Sequence, residues 1–325
     1  MTDLRRRLLA GLALGFIVLM VVALLGDVRQ VAGRLAGFNW ALALLALGCT
    51  LFNYTLRYLK WHFYLRQIGV TEISARESAR LFVGGFPLAV TPGKVGEVLK
   101  AVWLQQKTGI PVTRGVTVVL AERISDGLAV LVLSTLGVIA YPQYAPAFAV
   151  ALGVLVCFIV VSQIRPLALR LLEWAQRIPG VRRFSGGLHE LYEGSYALFR
   201  PRATLVGVGL GTISWLGEGV GFYLILIGLG ITGGWETLGN AVFILAFATA
   251  VGGLSTLPGG LGAAEGTIAG MLALVMTLPA SLAAAATLLI RFATLWFGVT
   301  LGLIVWAMSP DLMGQASAAG PKPAV

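Results

Sequence analysis

Long apolar runs dominate this sequence and decide which folds are open to it. They recur along the chain at about 20 residues, the length that a helix needs to cross the core of a bilayer. Hydrophobic residues make up 58% and charged residues 12% of the chain, whereas a soluble domain carries about 25% charged residues. A membrane barrel instead has short segments of alternating polarity. The sequence therefore predicts an all-α polytopic membrane protein.

The positive charge of the chain follows its membrane topology. The net charge is +10, but most basic residues lie between the apolar runs, where the positive-inside rule places those of cytoplasmic loops. A basic surface beside a bilayer serves topology or anionic lipid, so we predict no nucleic-acid partner. Arg5–Arg7 precede the first run without an obvious cleavage site, so we expect a retained first span. Both termini are then predicted in the cytoplasm.

We predict about six full spans and two broken helical hairpins within one transmembrane domain, residues 1–308. The helices are expected to cross the membrane because the runs are long enough to do so. Two connecting segments and the tail are predicted to lie outside the bilayer. The spans are predicted at 8–25, 40–58, 116–140, 146–163, 203–229 and 280–308, the polar loop at 27–39, the cytoplasmic interfacial segment at 164–202, and the disordered tail at 309–325.

Proline and glycine interrupt the apolar sequence at Pro92–Gly93. Ser74 and Glu77 form a capping-box pattern, which predicts that a helix begins there. This helix is too short to cross the bilayer before the interruption. We therefore predict a re-entrant hairpin over residues 74–104. In it, Lys94 and Glu97 lie one turn apart at the start of the second helix.

A second interruption, Pro258–Gly260, matches the first in its surroundings. Glu97 precedes Arg123 by 26 residues, and Glu265 precedes Arg291 by 26 residues. Paired interruptions of this kind mark the midplane binding sites of transporters that are built from inverted repeats. We infer two repeats in opposite orientation, residues 40–140 and 203–308.

Charged residues inside the spans are the candidate binding site. A charge at the bilayer centre costs about 2.5–3.5 kcal/mol, so these side chains should face one another or a wet cavity. Glu122 and Asp126 share a helix face and repel unless Lys94, Arg123 or Arg291 neutralise them. A helix that starts after a Pro–Gly break points free amides at the break, and Lys94 adds a cation, which suits a phosphate. The second break has Gly260 where the first has Lys94, so it is expected to supply amides without that cation.

The candidate substrate-binding residues are therefore the two breaks and the charges near them. No catalytic residue, cofactor or metal-ligand set is predicted, and structural ion pairing is the alternative interpretation of the charges. The candidates are Pro92, Gly93, Lys94, Gly96, Glu97, Lys100, Glu122, Arg123, Asp126, Pro258, Gly259, Gly260, Gly262, Glu265 and Arg291, with Asn53, Arg57 and Glu218 as supporting residues.

Four ordered segments carry a resemblance to a known family: Pro92–Lys100, Glu122–Asp126, Pro258–Glu265 and Arg291. Together they resemble the lysylphosphatidylglycerol synthase transmembrane family, also called the flippase-like domain or UPF0104 family. The resemblance covers the chain from the first span to about Met308. It implies a bacterial inner-membrane protein related to the flippase half of the multiple peptide resistance factor. That half moves aminoacylated phosphatidylglycerol between leaflets. The aminoacyl-transferase domain of the longer members has no counterpart here, so we expect no synthase activity.

Three functions follow as hypotheses. The first is a lipid transporter whose charged cluster binds the headgroup of a phospholipid or a polyprenyl-linked lipid between the two halves. The second is an accessory protein of a lipid or glycolipid pathway that docks a pathway enzyme through residues 165–202. The third, an intramembrane enzyme, lacks a nucleophile–base pattern.

Overall fold

The computed structural model of the chain describes residues 2–91, 96–140, 145–166, 170 and 185–313. Every regular element within these ranges is helical, which confirms the all-α prediction. The described α-helices are α1 Thr2–Leu25, α2 Val28–Ala36, α3 Trp40–Gln67, α4 Ala75–Gly84, α5 Val98–Thr108, α6 Val112–Ala140, α7 Ala145–Gln163, α8 Ser185–Leu198, α9 Pro201–Gly228, α10 Trp235–Leu254, α11 Ala263–Val275, α12 Ala280–Arg291 and α13 Phe297–Met308.

Five stretches of described helix are long and apolar enough to cross a membrane. They are α1 from Leu8 onward, α3, α9, α10 and the combined helix Ala280–Met308. Helix α6 is 29 residues long but carries charges near its centre. Large apolar side chains on the outward faces, such as Phe16 and Leu205, are exposed, as expected for helices whose outer surface meets lipid.

Helices of the two predicted halves pack against one another across the molecule. Helix α9 packs along α3 and also contacts α6 and α10, while α13 packs on α4. The indole of Trp306 donates a hydrogen bond of 2.7 Å to the carbonyl of Gly84, at the end of α4. A core around Trp61 and Phe82 joins the first hairpin to the last span, and a second core surrounds Phe243.

At each helical break, a side-chain hydroxyl group shortly before the proline forms hydrogen bonds with the backbone. Thr91 Oγ1 donates to the carbonyl of Leu88 at 2.6 Å and accepts from the amide of Gly96 at 3.1 Å. Ser255 Oγ donates to the carbonyl of Gly252 at 2.8 Å and accepts from the amide of Leu257 at 3.3 Å. These bonds satisfy backbone groups that the interruptions free from the helical ladder.

The two breaks meet inside the molecule. The first hairpin turns through a 3₁₀ helix at Phe86–Val90 and the second through a 3₁₀ helix at Pro258–Gly260, and the two turns are in contact. A Cβ placed on Gly259 would lie 3.3 Å from Val90 Cγ1. Helix α1 also lies against the first turn, with Gly11 facing the Val90 carbonyl. The breaks therefore form one continuous region.

Gly260 is the most constrained glycine of the second break. Its φ is +67°, and an added Cβ would lie 2.9 Å from the Cα of Gly252. We expect Gly260→Ala to lower the free energy of unfolding by more than the roughly 1–2 kcal/mol of the left-handed conformation alone. Gly266→Ala in α11 is the control, because its Cβ meets no atom within 4 Å and a helical Ala adds up to about 1 kcal/mol. Thermal unfolding in detergent measures both variants, and equal shifts would contradict a tightly packed break.

The structure corrects one local prediction and refines two others. Residues 27–39, predicted as a loop, contain α2, which begins after Asp27 because the Asp27 side chain accepts the amide of Arg29 at 3.0 Å. The helix predicted to begin at Ser74 is α4, which Ser74 caps; it ends at Gly84 and is followed by a 3₁₀ turn at Phe86–Val90. The last span, predicted at 280–308, is present as one apolar helical stretch, Ala280–Met308, and contains a π-helical turn at Phe292–Trp296. Of the predicted interfacial segment 164–202, residues 167–169 and 171–184 lie outside the described residues.

A charged cluster links the first hairpin to the end of the last span. Arg80 binds both carboxylate oxygens of Asp311, at 3.0 and 2.9 Å, and also contacts Glu77. Lys107 Nζ lies 3.2 Å from Asp311 and 3.4 Å from Glu77. Partial burial raises the pKa of Asp311. Hydrogen bonds from Lys107 and Arg80 lower it by more, so that the pKa lies below its ordinary value of 3.8.

This cluster predicts a pH-dependent stability. The pKa of Asp311 is lower in the folded protein than in the unfolded chain. Ionised Asp311 therefore stabilises the fold above its unfolded pKa, and this stabilisation is lost as the pH falls through the folded pKa. We expect Asp311→Asn to reduce stability at neutral pH by at most about 1 kcal/mol, since the groups are partly exposed. Melting temperatures of wild type and variant should converge in acid. A constant difference across the pH range would contradict this role.

Candidate functional site

Four of the long helices, α3, α6, α9 and the last span, have polar groups at their midpoints. The midpoint of α3 falls between Asn53 and Tyr54, that of α9 next to Ser214, and that of the last span at Thr294. Asn53 Nδ2 donates to the carbonyl of Ser214 at 3.0 Å, and the Tyr54 hydroxyl donates to the carbonyl of Thr294 at 2.5 Å. The midpoint of α6 is Asp126. Polar contacts therefore concentrate at one depth, where hydrocarbon penalises them most.

Asp126 is the centre of the first charged network. Lys60, which is fully buried, donates to its Oδ1. The guanidinium groups of Arg57 and Arg123 lie 3.6 and 3.9 Å from Oδ2. A buried carboxylate with nearby cations on both oxygens escapes the full cost of desolvation.

Glu122 is paired with a different lysine. Lys100 Nζ donates to Glu122 Oε2 at 2.8 Å, and both side chains are buried. The same ammonium group lies 4.1 Å from the ring centroid of Trp61 and 5.2 Å from that of Phe82, which adds cation–π attraction. Lys100 and Lys60 therefore supply the cations that keep Glu122 and Asp126 from repelling each other on α6.

Glu97 and Arg123 connect the first hairpin to α6. Glu97 directly precedes α5 and is buried, and its Oε2 lies 3.4 Å from Arg123 Nε. The Arg123 side chain is 38% exposed, more than the other basic side chains of the network. Arg123 is thus the cation that a ligand could reach first.

Arg291 ties the second break to the last span. Its Nε donates to Glu265 Oε1 at 2.6 Å, and its Nη2 donates to the carbonyl of Gly259 at 2.9 Å. Glu265 Oε2 in turn accepts the amide of Gly262 at 2.7 Å, which caps α11. The π-helical turn begins at the next residue, Phe292, and such turns occur frequently at functional sites. The second break has Gly260 where the first has Lys94, and Arg291 of the last span brings a cation to it instead.

Each half contains a Glu–Arg ion pair at an equivalent position. In each, a glutamate at the start of the second hairpin helix contacts an arginine 26 residues later, in the helix that follows. The distances are 3.4 Å for Glu97–Arg123 and 2.6 Å for Glu265–Arg291. The pair of the second half is tighter and more buried, and that of the first half is looser and more open.

Several buried polar atoms in the first network have no hydrogen-bond partner. They include donors as well as acceptors, and each costs about 1–3 kcal/mol when buried and unsatisfied. Native proteins carry few such atoms, so a cluster of them needs an explanation such as water or a ligand. The atoms are Arg57 Nε and Arg123 Nε among donors, and Asn53 Oδ1, Glu122 Oε1 and Asp126 Oδ2 among acceptors.

The remaining candidates fall into three groups. Gly96 donates its amide to Thr91, and Pro258, Gly259 and Gly260 form the second 3₁₀ turn. Glu218 is 3% exposed and has no ion pair within the described part of the chain. Pro92, Gly93 and Lys94 lie outside the described residues.

Lys60 is the network residue that sequence reasoning missed. Its position near the end of an apolar run suggests a cytoplasmic marker, whereas the structure buries it completely. A signal exists, because Asn53, Arg57 and Lys60 are spaced i, i+4 and i+7 and therefore share one face of α3. Within the described ranges, no three His, Cys, Asp or Glu residues are arranged to hold a metal ion.

These features define a polytopic helical membrane protein with two broken hairpins and a buried ionic network. A family model described as "Lysylphosphatidylglycerol synthase TM region" matches residues 8–302, and the chain belongs to this family. It is also similar to a UPF0104 membrane protein of Methanothermobacter thermautotrophicus, with 27% identity over 290 residues, which cover 82% of this chain and 83% of that protein.

Proposed function

We propose that this protein moves an anionic lipid headgroup, of a phospholipid or a lipid-linked phosphate, between the two leaflets. The observation that carries the proposal is the group of unsatisfied donors and acceptors around Asp126, at the centre of α6. Buried atoms without partners also occur elsewhere in the described residues, for example Arg80 Nε, but five of the twelve belong to this one network. Atoms left without partners at mid-depth suit a polar ligand that passes through.

The headgroup binds first at Arg123, which is the most accessible of these cations. Its phosphate oxygens accept from the Nε groups of Arg123 and Arg57, which are buried and have no hydrogen-bond partner. The hydroxyl or amine groups of the headgroup donate to the free carboxylate oxygens of Glu122 and Asp126. The hydrocarbon tails stay in the bilayer throughout.

Access alternates as the two breaks rearrange. The Phe86–Val90 turn and the Pro258–Gly260 turn touch each other, so a shift of one hairpin displaces the other. We infer that the halves are inverted repeats, so that each hairpin closes the path from one side. The protein then works in the bacterial cytoplasmic membrane with both termini in the cytoplasm, and it moves the lipid without altering it chemically.

Leaflet-resolved transport in proteoliposomes tests the proposal. The probe is tail-labelled phosphatidylglycerol, with tail-labelled phosphatidylcholine and a labelled polyprenyl phosphate alongside. We expect the wild type to move an anionic probe faster than phosphatidylcholine. Arg123→Ala should fall towards the protein-free rate and still fold, because its side chain is partly exposed. Arg202→Ala, an exposed arginine at the start of α9, is the control and should keep the wild-type rate.

Absence of transport for every probe, with well-folded wild type, would overturn the proposal. The accessory function at the cytoplasmic segment would then be favoured. Equal rates for anionic and zwitterionic probes would also count against it, because the arginine donors around Asp126 would have no part in selection.

A further inference from the structure

Glu218 is the buried acid that the proposed transport cycle does not use. It lies one turn beyond Ser214, near the centre of α9, and is 3% exposed. Glycines beside it let neighbouring helices close in. A Cβ on Gly217 would lie 2.8 Å from Phe52, and one on Gly219 would lie 2.7 Å from Val242. Glu218 therefore lies where α3 and α10 pack closely against α9.

The other four acids of the network each have a basic partner. Glu97 pairs with Arg123, Glu122 with Lys100, Asp126 with Lys60, and Glu265 with Arg291. Within the described residues, Glu218 has no cation within 4.0 Å. An isolated buried carboxylate is so costly that such a group takes up a proton instead. The geometry therefore favours a neutral Glu218.

Glu218 is within electrostatic range of both charged networks. Arg57 and Asp126 of the first network and Arg291 of the second all act on it electrostatically. The titratable groups of α3 that couple electrostatically to Glu218 are Cys49 and Tyr54, in addition to Arg57. The α10 residue that packs against the neighbouring Gly219 is Val242, which is apolar.

The charge balance of the described network depends on this one proton. Five basic side chains face four paired carboxylates, so a neutral Glu218 leaves one positive charge in excess, and an ionised Glu218 leaves none. A phosphodiester carries one negative charge, which balances the excess positive charge of the state in which Glu218 is protonated. The basic members are Arg57, Lys60, Lys100, Arg123 and Arg291, and the paired acids are Glu97, Glu122, Asp126 and Glu265.

We propose that Glu218 is a proton-binding site that couples the passage of one proton to the passage of one anionic headgroup; this rests on the transport function proposed above. The Glu218 carboxylate takes a proton from the aqueous phase on the entry side, which creates the positive charge that holds the phosphate. When the headgroup leaves on the other side, the freed Arg57 attracts the Glu218 carboxylate, and the proton returns to water there. Proton and headgroup therefore travel in the same direction.

An imposed pH gradient across proteoliposomes tests the coupling. With tail-labelled phosphatidylglycerol as the probe, we expect accumulation in the leaflet that faces the alkaline side, by about tenfold per pH unit for one proton per lipid. This sign does not depend on the orientation of the protein in the vesicle. Glu218→Gln should still equilibrate the probe, but without any response to the gradient. Glu236→Gln, the same change at an exposed site at the start of α10, should behave like the wild type.

A transport-independent measurement separates this inference from the transport function. Infrared spectra of the purified protein should contain the carbonyl band of a protonated carboxyl group, and Glu218→Gln should lack it. If the wild type moves no lipid but the band is present and depends on Glu218, the proton site stands and the transport function fails. A spectrum unchanged in Glu218→Gln would overturn the proton site. Transport by the wild type that ignores the pH gradient would overturn the coupling.

Discussion

Replacing Asp126 by Leu is expected to lower the free energy of unfolding by about 3–5 kcal/mol, because it leaves a buried ammonium group without its partner. Lys60 is fully buried and donates to Asp126. Arg57 also loses the carboxylate that lies 3.6 Å away. Adding Lys60→Met to Asp126→Leu should recover most of the loss, since replacing both members of a buried pair by apolar residues is often neutral or stabilising.

Reversible unfolding in mixed detergent micelles measures these changes. The control is Glu193→Leu, which removes a pair with Arg165 at 2.7 Å in which the Arg165 side chain is 55% exposed. Its effect should stay below about 1 kcal/mol.

Transport by the stable double variant then separates the two interpretations of the charges. Loss of transport with restored stability supports a binding site, whereas restored transport would mean that Lys60 and Asp126 only fasten α3 to α6.

The fold was predictable where a single physical rule decides the outcome. Apolar runs about 20 residues long in a weakly charged chain have to become spanning helices, because only helices and closed barrels satisfy the backbone in lipid. The second break was equally readable, since Pro258 and the glycines after it end one helix at Leu254 before another begins at Ala263. Both features depend only on local sequence.

Features that depend on packing between distant segments were not predictable. The π-helical turn after Arg291 lies in an Ala- and Leu-rich sequence with no breaker. Its position is tied to the bonds that Arg291 makes with Glu265 and Gly259, which lie 26 and 32 residues away. Helix α2 depends on a cap from Asp27 whose φ of +62° is unusual for a residue other than glycine.

Most residues of the candidate site could be predicted from the sequence, but some of the ion pairs between them could not. Counting residues picked out Glu97 with Arg123 and Glu265 with Arg291 as equivalents, and the geometry joins the members of each pair. Lys60 and Asp126 are 66 residues apart, and no repeated spacing in the sequence indicates that they pair. A charge near the end of an apolar run can mark either an interface or a core, and only the crossing of α3 and α6 decides between them.

Arg291→Lys is expected to slow transport by roughly 10- to 100-fold, which corresponds to the loss of one charge-assisted hydrogen bond of about 1.5–3 kcal/mol. The guanidinium group holds Glu265 through Nε and the Gly259 carbonyl through Nη2. A lysine keeps the charge and the pairing with Glu265 but lacks the planar fork that reaches both partners. The lost bond also stabilises the folded protein, so the melting temperature should fall by several degrees, while the retained charge near Glu265 keeps the fold.

Arg114→Lys provides the matched control for this substitution. Arg114 also uses two guanidinium nitrogens, Nε at 3.1 Å and Nη2 at 2.7 Å from Glu190, but on the half-exposed surface between α6 and α8. Its variant should transport like the wild type. Leaflet-resolved transport and thermal unfolding of both variants then isolate the second break. If Arg291→Lys also transports at the wild-type rate, the bond to Gly259 is a static support. If it slows transport while the fold persists, the position of the second break relative to the last span is part of the transport cycle.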